Sequence, residues 1–122
     1  MAKKVLIVDD SQVERHVLEQ YMKEAGYQIL TAENGEEAVA KAKSEMPDLI
    51  LMDVVMPGTN GYQATREIAK GKDTNKIPVI MCTSRGADTD KLWGLRQGAK
   101  DYIVKPPREQ DLIARINALI GH

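Results

Sequence analysis

Val5-Leu6-Ile7-Val8-Asp9-Asp10-Ser11 is the stretch from which the rest of the chain can be read. A short apolar run stops at a pair of acids. Leu49-Ile50-Leu51-Met52 repeats the pattern and stops at Asp53. Runs this short, continuous and followed by a break read as buried strands. In a parallel α/β sheet the carboxyl ends of the strands share one edge, and ligands bind in the crevice there. Asp9, Asp10 and Asp53, far apart in the chain, are therefore expected to meet in one pocket. Such a cluster repels itself unless a cation or a proton is present. The cation that fits is hard and divalent, Mg²⁺, which takes oxygen ligands and often accompanies phosphate.

Outward from these runs the chain alternates strand and helix, which predicts a parallel sheet with helices on both faces. The strands are expected at Lys4–Val8, Gln28–Ala32, Leu49–Asp53, Val79–Thr83 and Asp101–Val104. The first helix opens at Ser11 with Glu14 three residues on, a capping-box pattern. Val13, Val17 and Tyr21, with Leu18 and Met22 beside them, give it an apolar stripe, and Gly26 ends it. The second helix starts at Asn34-Gly35, turns Ala38, Val39 and Ala42 inward, and breaks at Met46-Pro47-Asp48. Pro57, Gly58 and Gly61 mark an irregular loop before a third helix near Tyr62–Ala69. Lys70–Lys76 reads as a surface loop. The fourth helix is expected near Asp90–Gln97, closing at Gly98. The fifth is expected at Glu109–Ile120, with Leu112, Ile113, Ile116 and Leu119 inward.

The 122 residues fit one domain, 1–122, and a 43% hydrophobic content is enough for a core. A net charge of -1 with both signs interspersed argues against nucleic acid or a membrane surface as partner. Neither a signal peptide nor a spanning run is present, so a cytoplasmic location is expected. The single Cys82 fits a reducing compartment and reads as a buried core residue. His16 reads as a solvent-facing helix position and His122 as a frayed end.

The top edge of this sheet gathers Asp9, Asp10, Asp53, Thr83 and Lys105. That set suits phosphoryl transfer to a carboxylate, with Asp53 as nucleophile. Asp10, with Asp9 directly or through water, would hold Mg²⁺, which lets an anionic nucleophile approach an anionic donor. Lys105 would contact Asp53 and then a phosphoryl oxygen, and the Thr83 hydroxyl would hydrogen-bond another. Such transfer is mostly positioning and electrostatics, so a small pocket suffices.

Val8-Asp9-Asp10-Ser11, Asp53-Val54-Val55-Met56-Pro57-Gly58, Gly61, Thr83-Ser84, Gly98-Ala99 and Tyr102-Ile103-Val104-Lys105-Pro106 together resemble the receiver domain of two-component response regulators, of the CheY-like single-domain kind. The resemblance covers essentially the whole chain. It implies a flavodoxin-like sheet of order 2-1-3-4-5 and phosphate transfer from a kinase phosphohistidine to Asp53. It adds the backbone carbonyl of Val55 to Asp9, Asp10 and Asp53 as metal ligand, and a cis Lys105–Pro106 bond. It also implies a switch in which Thr83 moves toward the phosphate and Tyr102 swings from outward to inward. No output domain follows, so the signal is expected to leave by protein–protein contact, and the chain to act as a phosphoacceptor rather than an enzyme turning over a substrate. Trp93 and Tyr102 are candidates for the partner surface. The implied partners are a CheA-like histidine kinase and a downstream protein target, with the chain a monomer or weak dimer. Trp93-Gly94-Leu95-Arg96-Gln97-Gly98-Ala99, Val54–Gly58 and Gln63-Ala64-Thr65-Arg66 further resemble receivers of type IV pilus chemosensory systems. Pro107 departs from the family, where an aliphatic or aromatic residue is common.

Three rivals remain. A phosphatase of the haloacid dehalogenase type needs a second acid two residues after its nucleophile, where this chain has Val55. A flavodoxin-like flavin carrier would place a phosphate against Asp9 and Asp10, which repel it. A scaffold receiver that is never phosphorylated would not need the full constellation.

Overall fold

A computed structural model describes residues 2–121; the expectation for His122 falls outside them. Five strands and five helices alternate along the chain: β1 Lys4–Val8, α1 Gln12–Glu24, β2 Gln28–Ala32, α2 Gly35–Glu45, β3 Leu49–Met52, α3 Gly61–Lys70, β4 Val79–Thr83, α4 Asp88–Arg96, β5 Asp101–Val104 and α5 Glu109–Ile120. The strands are all parallel and lie in the order β2-β1-β3-β4-β5, as expected.

The apolar runs are continuous because the central strands are covered on both faces. Alternate residues divide between two layers. Val5, Ile7, Leu49, Leu51, Ile80, Cys82 and Ile103 pack on Leu18 and Met22 of α1 and Leu112 and Ile116 of α5. Leu6, Val8, Ile50, Met52 and Val79 pack on Ala38 and Ala42 of α2 and Ala64 and Ile68 of α3. Met81 and Tyr102 extend this second face with Val54, Ala99 and the partly buried Tyr62. α4 closes over them at Gly94, where an added Cβ would sit 2.6 Å from the Met81 sulfur and 3.0 Å from the Tyr102 ring. Cys82 is buried, as expected, and burial pushes its thiol up to about 12.

Several sequence expectations need correction. Val13 and Val17 face outward on α1, at 76% and 41% exposure, while Leu18 and Met22 are buried. Leu18 and Met22 pack between Val5 and Ile7 of β1 and Leu112 and Ile116 of α5, with Tyr21 against the same core, and that contact takes their side of the helix inward. Leu119 of α5 is likewise exposed. The capping box at Ser11 is half-made: its hydroxyl accepts from the Glu14 N–H at 3.3 Å, but the Glu14 carboxylate does not return to it. The full capping box is at α3, between Asn60 and Gln63, which moves that helix start to Gly61. α4 begins two residues earlier than expected, at Asp88, and β3 ends at Met52. In the Lys70–Lys76 loop Thr74 is buried, its hydroxyl donating to the Ile68 carbonyl at 2.7 Å.

Candidate functional site

The sheet register sets the site. Val8 stands opposite Met52, so Asp9 and Asp53, the next residue of each strand, leave the sheet side by side. Backbone bonds fix both: the Asp9 N–H donates to the Ala32 carbonyl at 3.1 Å and the Asp53 N–H to the Val8 carbonyl at 3.0 Å. Asp9 is fully buried and Asp53 nearly so, whereas Asp10 is exposed. Carboxylate oxygens of the three lie within 4.8 Å of one another. Three hard anionic oxygens so close, open to solvent through Asp10, fit a hard divalent cation. Val55 follows in the same loop with its side chain 54% exposed.

Lys105 is the counter-charge. The bond from its N–H to the Thr83 carbonyl, 2.9 Å long, pins the loop after β5, and the Lys105–Pro106 peptide is cis as expected. Its Nζ lies 2.5 Å from Asp9 Oδ2, 2.8 Å from Glu14 Oε2 and 3.1 Å from Asp53 Oδ2. Burial works against the ammonium, but the hydrogen bonds to Asp9 and Glu14 and the charge of Asp53 outweigh it and hold its pKa above the ordinary value. Burial also raises the Asp9 carboxyl, with Lys105 and the Ser11 N–H opposing that shift. The other Asp53 oxygen accepts the Val54 N–H at 2.7 Å, which leaves Asp53 oriented between loop and lysine.

Thr83 is fully buried at the end of β4, its hydroxyl accepting weakly from the Arg85 N–H at 3.4 Å. Tyr102 is turned inward and its hydroxyl donates to the Arg85 carbonyl at 2.7 Å. Burial pushes the phenol above its ordinary value. The ring is therefore not part of the exposed surface here. That surface is made by Trp93, Leu92, Leu95 and Val104. On the other side of the site, Val13, Val17 and Leu18 line a 340 Å³ groove with Lys105, Pro106 and Pro107. Pro107 is half-buried in that lining. The residue that sequence reading missed is Glu14: assigned to a cap, it serves Lys105 instead.

The comparisons agree with this geometry. The pattern of the response regulator receiver domain matches residues 5–117. The chain belongs to that family of signalling proteins. It is 50% identical over 118 residues to Protein PilH of Pseudomonas aeruginosa, spanning 97% of this chain and 98% of that one. It is 43% identical to the probable transcriptional regulator ycf27 of Guillardia theta, over 97% of this chain but only 45% of that longer protein. Among solved structures, the receiver domain of the sensor histidine kinase PA1611 of Pseudomonas aeruginosa, with a magnesium ion coordinated in its active site cleft, superposes with TM-score 0.92 at 31% identity over all of both chains. No helix among the described residues is long and apolar enough to cross a membrane.

Proposed function

We propose that Asp53 accepts a phosphoryl group from the phosphohistidine of a CheA-like histidine kinase, and that the chain works as a single-domain cytoplasmic response regulator. The observation that carries this reading is the Asp53 carboxylate, held in a three-acid cluster with the Lys105 ammonium 3.1 Å away. An Asp53 oxygen attacks phosphorus as the P–N bond of the donor breaks, and the imidazole leaves with the bonding pair. Asp9, Asp10, Asp53 and the Val55 carbonyl are the residues that would hold Mg²⁺, which supplies positive charge to the phosphoryl oxygens. Lys105 then moves its ammonium onto a phosphoryl oxygen, and Thr83 offers its hydroxyl to another. Water later hydrolyses the acyl phosphate, which the chain itself promotes by holding the group in place.

The phosphoryl group then draws Thr83 and its loop toward Asp53. Tyr102 is tied to that loop through the Arg85 carbonyl, so the surface of α4 and β5 changes with it. Phosphate need only favour an accessible conformation by a few kcal/mol, about the amount that inverts a two-state equilibrium. The downstream partner is a protein, with Trp93 on its contact surface. The likeness to PilH over nearly the full length of both chains supports a place in pilus-linked chemosensory signalling. A phosphatase reading lacks its acid, since Val55 stands in that position.

Incubation with acetyl phosphate and Mg²⁺ should add one hydroxylamine- and alkali-labile phosphoryl group to the wild-type chain. Asp53→Asn should take up none. Stoichiometric labelling of that variant would refute the assignment.

A further inference from the structure

Lys105 carries one charge and faces carboxylates from three elements: Asp9 after β1, Asp53 after β3 and Glu14 on α1. Asp9 and Asp53 also belong to the acidic cluster with Asp10, and Glu14 does not. A cation bound in the cluster therefore competes with Lys105 for Asp9 and Asp53 while leaving Glu14 untouched. Glu14 is available because its usual capping role is already filled. The Ser11 N–H that it would accept is bound instead by Asp9 Oδ1 at 2.9 Å. Its side chain crosses to the loop after β5, where the Lys105 side chain is 8% exposed and that of Glu14 half-exposed.

We propose that Glu14 is a positioning residue for Lys105. It holds the ammonium off Asp53 while the cluster binds its cation, and releases it when a phosphoryl group arrives on Asp53. The first half rests on the geometry and on the cation reading of the acidic cluster; the second rests on the phosphoacceptor reading. The release leaves an unpaired carboxylate on the outer face of α1, beside the exposed Val13 and Val17.

The test compares wild type with Glu14→Gln and Glu14→Asp on the purified chain. The Asp variant keeps the charge but withdraws it by one C–C bond, about 1.5 Å. Calorimetric titration with Mg²⁺ should show the dissociation constant raised about two- to fivefold in both variants, the size expected of a half-exposed ion pair. An Asp variant equal to wild type would mean that Glu14 acts only through its general charge, and would overturn the positioning role. So would two variants that both match wild type. Nitrogen-15 spectra of the lysine side chains, taken with Mg²⁺, should show a protected Lys105 ammonium in wild type that is lost to exchange in both variants. An unchanged signal would overturn the contact itself. With beryllofluoride added, the Lys105 signal should become insensitive to the residue at position 14. Continued sensitivity, or a wild-type chain that takes up no beryllofluoride, would overturn the release half, while the Mg²⁺ titration still decides the first.

Discussion

Gly61→Ala should damage stability and the site together. Gly61 is the first residue of α3, and its N–H donates to the Val54 carbonyl at 3.0 Å. A Cβ there would lie 1.9 Å from the Asp53 carbonyl oxygen and 2.8 Å from both the Asp53 carbonyl carbon and the Val54 Cα. All three obstacles are backbone, so no side-chain rotation relieves them. Either α3 or the loop after β3 must retreat. Overpacking of this kind costs about 1–3 kcal/mol. Stretching the Gly61–Val54 bond adds about 1 kcal/mol. Against this stands a helix-propensity gain of at most about 1 kcal/mol, and less at a first helical position. The net loss is roughly 2–3 kcal/mol, which for a domain of this size lowers Tm by roughly 10 °C. Thermal unfolding followed by far-ultraviolet circular dichroism measures that loss. Acetyl phosphate labelling, run where the variant is still folded, measures the displacement of Asp53. A variant that melts within about 3 °C of wild type and labels at the same rate would refute the reasoning, because the overlap would then have been absorbed without moving Asp53.

Asn60→Ala should cost about 1 kcal/mol through the lost bond from the Gln63 N–H, readable as a lower urea midpoint at unchanged slope. Stability should also fall in alkali. The Cys82 thiol is held protonated up to about 12, while an unfolded thiol ionises near ~8.5, so the folded state keeps a proton the unfolded state loses. Lys105 has the same sign: its raised pKa stabilises fully below the unfolded value of ~10.4 and is lost as pH rises through the folded one. Urea midpoints should therefore decline above about pH 8.5, and Cys82→Ala should remove the first part of that decline. A flat profile between pH 8.5 and 10 in wild type, on about the scale set by those reference values, would contradict it.

Much of this was legible because the chain is locally consistent. Runs such as Leu49–Met52 are too short for helices and too apolar for loops, and parallel strands need helices between them. Once the strands are placed, Asp9 and Asp53 have nowhere to go but the shared edge. Two of the failures have one cause: a helix face is chosen by what it packs against. In α1 both Val13-Val17 and Leu18-Met22 are spaced for a helix face, with Tyr21 packing beside the latter, and only the position of β1 and α5 decides between them. Glu14 failed in the same way. Its spacing from Ser11 fits a cap, and nothing local to the sequence says that Asp9 takes that N–H first or that Lys105 lies within reach. Asn60 and Gln63, by contrast, carry a capping-box pattern that the sequence alone can show, beside glycines that read as loop.

The pairing of Val8 with Met52 has a further consequence. The acids proposed to react are anchored at the ends of two adjacent inner strands, whereas Trp93, Leu92 and Leu95 ride on a helix that touches the sheet through the small residue Gly94. Under the proposed function, chemistry and recognition are thus drawn from different parts of the architecture. Descendants of such a chain are able to change whom they address, by rewriting one helix, without disturbing how the message is stamped.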